Sequence, residues 1–550
     1  MKREEKCLKM IWSLALAVML LLPSGCMMVG DSGPYCFDSL DCPAGWICDT
    51  DSHQCVSGDT PDSVIDLELQ PGAESSGATT QIPGIDLDDP RVDHEQLSLE
   101  LTPGLALTGH VGSPMGVPGS LVAKRTAEFG ARSLSWNITV DSAGYFEAAV
   151  SQGDFEMLFR PTNREDFPQL RLLGLNFADG DPTDSLELTY PTYPTAETLD
   201  EQEHILLVKV QVLQSENTPH PISGIQVEGT TDSGLRTNVA IPDAQGIAHL
   251  RLPVELRSDL GDKIIYPRSL SITLGPAATG SHLPVVTTET QDLVSADLGT
   301  LYMGDLPDSR AVSGVVTDSQ GHAVPDCHLR FMAALGYGSF SHIIASDGQG
   351  AFTTTLPEGQ YQLTAIPGNL RPEAIMTTEL SIEGDTSGVA VMLEARYTLS
   401  GTVFDAHGQT ASEVNVVADR VGDWTGANDG ILRSYETISD GDGHFELAVD
   451  PGSYLFSLLP PTASGLPRKP AESLFVYDNE ALDPIRTTLR EPAVLQGHVF
   501  SRSGAPQCGV SIKIFRSNED SATLVGQGVS AASSPDGCTG AYAIVIPATN

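Results

Sequence analysis

The stretch SDGDGHFELAVDPGSYLFSLLP, Ser439–Pro460, admits two readings. Its aspartates Asp440 and Asp442 are spaced like the start of a calcium loop, whereas its glycines and alternating apolar residues suit a tight turn between two strands. VDSAGYFEAAVSQGDFEMLFRP (140–161) and SDGQGAFTTTLPEGQYQLTAIP (346–367) align with it residue for residue, without a gap. All three keep Asp, two residues, Gly, any, Phe, then Gly, any, aromatic and a closing Pro. Position 440 stays acidic, as Asp141 and Asp347, but position 442 becomes Ala143 and Gln349. A calcium loop would also need oxygen ligands where His444 and Phe445 stand. The frame is therefore that of a hairpin: the Asp side chain bonds backbone two residues on, and Gly supplies the left-handed turn. FELAV and YLFSL then alternate as strands with one buried face. SPDGCTGAYAIVIP (534–547) is a fourth copy with one more turn residue and Asp536 in the aspartate position, and PDAQGIAHLRLP (242–253) is a degenerate fifth.

A second block precedes the hairpin at a variable distance. LTGHVGSPMG (107–116), VSGVVTDSQG (312–321), LSGTVFDAHG (399–408) and LQGHVFSRSG (495–504) all read apolar, any, Gly, any, Val, four residues, Gly. Short strands bounded by turn signals, with no long helical period between them, predict an all-β chain of tandem Greek-key antiparallel β-sandwich modules after a small Cys-rich disulfide segment. The predicted divisions are residues 95–195, 196–305 (divergent, without the first glycine block), 306–396, 397–491 and 492–550. The last stops at IVIPATN, where the other copies continue to another strand, so it reads as incomplete: a fragment or degenerate end, or a sandwich that borrows a strand and leaves an edge open to a partner. The two blocks together resemble the carboxypeptidase regulatory-like domain, a transthyretin-like sandwich grouped with carbohydrate-binding-like folds. The resemblance spans about residues 95–550, is best in the third and fourth modules and weakest in the second. It implies accessory modules that accompany enzymes, receptors and adhesins and catalyse nothing themselves, so it speaks to fold more than to function.

The N-terminus supplies an address. Residues 1–25 run from basic Lys2, Arg3, Lys6 and Lys9 through an apolar stretch, Met10–Leu22, to small residues before Cys26, the pattern of a secretory signal. LLPSGC resembles the lipobox of bacterial lipoproteins, in which the cysteine is lipidated; Ser24, Gly25 and Cys26 match, while Pro23 stands where an aliphatic residue is usual. The resemblance implies a membrane partner through a lipid on Cys26 and a location at the outer membrane or cell surface of a bacterium. Residues 26–56 hold Cys36, Cys42, Cys48 and Cys55 among Gly, Pro and Asp, too few apolar residues for a core. Two disulfides suit this segment; three pairings are open, and the spacings lack the paired C-x2-C of zinc modules. Residues 57–94, rich in Asp, Gly, Pro, Ser and Thr, read as a flexible acidic linker.

The search for chemistry finds no catalytic set. None of the thirteen histidines begins H-x-x-E or H-E-x-x-H, and neither G-x-S-x-G nor a phosphate-cradling G-x-x-x-x-G-K occurs. His322, His328 and His444 read as strand or turn residues, so no metal and no cofactor is expected. Cys508 and Cys538 are placed to form a disulfide, and Cys327, equivalent in position to Cys508, is left a lone buried thiol with no base motif beside it. The net charge of −42, from 72 acidic and 30 basic residues, opposes nucleic-acid binding. The function expected is a non-catalytic cell-surface lipoprotein, a multi-module stalk or binding scaffold whose partner is a surface protein or a glycan. One alternative is a carbohydrate-binding surface protein, with Trp424 in RVGDWTGANDG as the candidate sugar contact; another is an accessory subunit of a secreted peptidase.

Overall fold

The computed structural model describes residues 46–49, 54–57 and 63–549, save 73–76, 91, 94–95, 113–114, 127–132, 178–184, 259–262, 279–281, 424, 426, 478–482, 518–521 and 532–536. Two compact units divide the chain at Thr60/Pro61. In the first, strands Trp46–Asp49 and Gln54–Ser57 form a hairpin whose register sets position 48 opposite position 55. Cys26, Cys36 and Cys42 lie outside the described residues.

The second unit is all-β, built from five β-sandwiches with separate apolar cores. The fourth module shows the plan. Its first strand, Tyr397–Phe404, lies between the fourth, His444–Val449, and the seventh, Ile485–Thr488, in a three-stranded sheet. Its second, third, fifth and sixth strands, Asn415–Gly422, Arg433–Ile438, Gly452–Leu459 and Lys469–Val476, make the facing four-stranded sheet. All pairs are antiparallel except that of the first and seventh strands, which run the same way. The third module repeats this plan strand for strand between Ser309 and Leu393.

Both glycine blocks now have physical causes. Asp440 Oδ1 accepts from the N–H groups of Asp442 and His444, each at 2.9 Å, and Gly443 follows at φ +74°. Asp141, Asp243 and Asp347 make the same pair of bonds, so the aspartate forms the turn in each of these copies. The glycine of the first block lies where the parallel seventh strand and an aromatic ring of the fourth crowd the first. A Cβ on Gly401 would come within 2.3 Å of Ile485 O and 2.7 Å of the Phe445 ring.

The ends of the second unit depart from expectation. Strand Val64–Gln70 pairs antiparallel with Ser511–Ser517, strand Thr80–Asp86 pairs with Val64–Gln70, and Leu97–Leu101 runs parallel to Pro492–Ser501. These are the fifth, sixth and seventh strands that the fifth module would otherwise lack. The expected acidic linker over 57–94 is thus corrected, since it contributes two paired strands, Val64–Gln70 and Thr80–Asp86, to the sandwich, and residues 97–101 belong to the fifth module instead of the first. The sandwich at 492–550 is complete, with strands taken from the start of the unit. Alternation of Ile65, Leu67, Leu69 and of Leu97, Leu99, Leu101 carries this pairing; acidic residues between them made the composition read as linker.

The second module also reaches outward. Its hairpin Val254–Arg257 and Lys263–Ile265 joins the first module's sheet through a parallel pairing with Leu170–Leu173, giving one six-stranded sheet. Val254 is part of the first module's core.

Candidate functional site

The seam of the fifth module is the most extensively built feature that joins distant parts of the chain. Ile65, Leu67, Leu69, Leu99 and Leu101 are buried in one core with Leu495, Val499, Ile512, Ile514, Val525, Ile544 and Ile546. On the opposite face of the donated strand, Glu68 is buried, stands directly across from Lys513 and pairs with its Nζ at 3.3 Å. Gln70 Nε2 donates to Glu68 at 2.7 Å, and Asp66 Oδ1 accepts from Gly84 N at 2.8 Å. Tyr542 Oη donates to Leu97 O at 3.0 Å, and its burial raises the phenol pKa well above the usual value. A one-residue slip would carry the apolar side chains to the other face and the carboxylates into the core, so this register is strongly specified.

The joints of the third module with its neighbours are polar. Across the second and third, Val285 and Ser339 exchange two backbone hydrogen bonds of 2.6 and 2.8 Å. Between the third and fourth, Asp450 is fully buried and takes Arg433 Nη1 at 2.7 Å, Arg396 Nε at 3.5 Å, the Tyr435 hydroxyl and Ile375 N at 2.9 Å. Arg433 also donates to Pro367 O of the third module. Burial first, then the Asp450 charge, pushes the Tyr435 phenol up to about 12.

Beside this joint lies a cleft of about 460 Å³, with the outer face of the third module's sheet (Arg330, Gln362, Thr364) on one side and Tyr397, Arg420, Asp423 and Asp429 on the other. Its charged groups are largely engaged with one another. Arg420 forks onto the Asp429 carboxylate at 2.9 and 2.6 Å and donates to Ile431 O and Pro451 O. Arg330 donates to Asp429 O at 2.8 Å, and Asp423 accepts from its own turn at Thr425 and Ala427. Burial, the largest single influence, opposes ionisation of Asp429, but the Arg420 hydrogen bonds, the Ile431 N–H and the charges of Arg420 and Arg330 together outweigh it and hold the carboxyl below its ordinary range. Such a cleft acts as a joint.

Cys508 and Cys538 form the expected disulfide, their Cα atoms 5.8 Å apart. Cys327 is free and buried, and burial pushes its thiol up to about 11. Trp424 lies outside the described residues, although Asp423 before it lines the cleft. His322 bonds Asp318 at 2.9 Å and His444 bonds Thr402 at 2.8 Å, both across turns or strands. Among the described residues, no group of three or more His, Cys, Asp or Glu could hold a metal ion. Sequence reading missed Glu68, Lys513 and Asp450. The last had a signal: where Asp450 stands, the aligned copies have Ser151 and Pro357.

No family model matches the chain. Over 186 residues, 32% of its length, it is 25% identical to halomucin of Haloquadratum walsbyi, of which the match covers 2%. Among solved structures it is similar to the streptococcal ancillary pilin at 11% identity, covering 52% of this chain and 99% of that one, with a TM-score of 0.22. For the minor pilin of Streptococcus agalactiae the values are 13%, 34%, 96% and 0.21. For the Bacillus anthracis TIE protein they are 14%, 70%, 74% and 0.16. Overlaps this slight transfer neither partner nor activity, so the sheets described above carry the assignment of fold.

Proposed function

We propose that this chain is an exported lipoprotein, anchored through Cys26 and displayed on a bacterial surface as a non-catalytic scaffold of carboxypeptidase regulatory-like modules. The leader and lipobox support the address, and the Cys508–Cys538 disulfide is in keeping with an oxidising compartment. The scaffold reading is carried by one observation: the last sandwich is completed by strands 64–101, so the fifth module adjoins both the fourth and the first. A linear stalk holds its first and last modules apart, whereas here the first and last strands of the array share one core. Modules one to four are thus spanned between two attachments to the fifth, a way of presenting several sandwich surfaces in fixed order.

Metabolic labelling with a fatty acid, combined with protease treatment of intact cells, tests this function. Label on the wild type but not on Cys26→Ser, with release of the modules by protease, is expected. A wild type that carries no label, or that stays protected in intact cells, would overturn it. The partner is a surface protein or a glycan; glycan retention that disappears in Trp424→Ala would select the glycan.

A further inference from the structure

The segment that completes the fifth module is a donor whose seat does not depend on chain identity. It comprises residues 64–101, and its acceptor strands begin at Pro492, several hundred residues later. Its only covalent link to the first module is Thr102–Pro103–Gly104, after which the first strand of that module starts at Leu105. Beside this link Ala78 N donates to Thr102 O at 2.9 Å and Thr102 N to Thr80 Oγ1 at 2.9 Å, whereas the donor's strand pairings and its buried apolar side chains belong to the fifth module's two sheets and core. Every one of those contacts would be reproduced if the donor came from another copy. Only the conformation of the three-residue connector would differ, and short connectors of this kind favour exchange of identical elements.

We infer that the fifth module accepts residues 64–101 from a second copy of this chain, so that the protein assembles head to tail by the same seam that closes the monomer. The contact is heterologous: each copy donates at one end and accepts at the other, which gives an open filament or a ring of several copies. The donor is the antiparallel pair Val64–Gln70 and Thr80–Asp86 with strand Leu97–Leu101, with Ile65, Leu67, Leu69, Leu99 and Leu101 on the buried side and Glu68 set against Lys513. The acceptor is the edge of Ser511–Ser517 together with the edge of Pro492–Ser501. Added strands held by main-chain bonds and alternate apolar pockets are a general mode of recognition. At −42 per chain, copies repel one another at low salt, so exchange should increase with ionic strength.

The experiment mixes isotopically light and heavy full-length protein, unfolds and refolds it with the disulfides intact at rising concentration and salt, and reads native mass spectra. A companion variant, Glu68→Cys with Lys513→Cys, is oxidised as a monomer before mixing, which locks each donor into its own seat. Its retained monomer mass and wild-type circular dichroism show that it is folded. Light–heavy multimers that grow with concentration in the wild type, and fall at least tenfold in the locked variant, are the expected result. Monomers alone at every concentration, or multimers that persist in the locked variant, would overturn the inference.

Discussion

Asp450 has no solvent exposure, and two guanidinium groups, a phenol and a backbone N–H converge on it from both sides of a module joint. Removing one partner from such a cluster leaves buried charge without compensation, at a cost of about 3–5 kcal/mol. Asp450→Asn should therefore lower the denaturation midpoint of the third and fourth modules while leaving the first two unchanged, as followed by hydrogen exchange across the unfolding transition. The same cluster sets an alkaline limit. With Tyr435 raised to about 12 in the folded chain against about 10 when unfolded, the native state binds the extra proton between those values. Its contribution is complete below pH 10 and is lost as pH rises towards 12. Tyr193, Tyr361 and Tyr454 are raised in the same direction, chiefly by burial. Ionisation of these four buried phenols should hence accompany unfolding instead of preceding it, read as a tyrosinate absorbance step that coincides with the loss of circular dichroism. Cys327, buried and shifted up to about 11, should stay unmodified by iodoacetamide in the native protein and react once denaturant is added, as read on its own peptide by mass spectrometry.

At the level of strands, the glycine of the first block is a probe of the seam. A Cβ on Gly497 would sit 1.9 Å from Leu97 O, so Gly497→Ala must displace the donated seventh strand. Gly401→Ala makes the corresponding clash with Ile485 O inside the fourth module. Gly497→Ala is expected to speed amide exchange in 97–101 at least tenfold without altering 485–488, and Gly401→Ala to do the reverse. The repeated hairpins and the strands following each Asp turn were legible because turn chemistry and alternation agree there. The donated strands were not, because Asp66, Glu68 and Glu100 sit between their apolar residues and their partners lie at the far end of the chain. Yet Gly497 itself was a clue: the glycines at its equivalent positions, such as Gly401, exist to admit a seventh strand, and a sandwich keeping that glycine needs one.

For the whole molecule, the central claim is that the five-module unit is closed by its own beginning. The wide sequence separation is no obstacle, since each doubling of a closing loop costs only about 0.6 kcal/mol, and the modules between are already folded. Closure also explains why residues with a linker's composition bury three aliphatic side chains on a single strand of seven residues, Val64–Gln70. The joint at Asp450 could be suspected only from its departure from the aligned copies, because buried ionic contacts between modules leave no periodic trace in sequence. The most direct measurement is hydrogen–deuterium exchange of the full chain, followed on the peptide that covers 64–70. Closure predicts protection of those amides equal to that of 511–517, with both released together on unfolding. Exchange of 64–70 within seconds, while 511–517 stays protected, would contradict it.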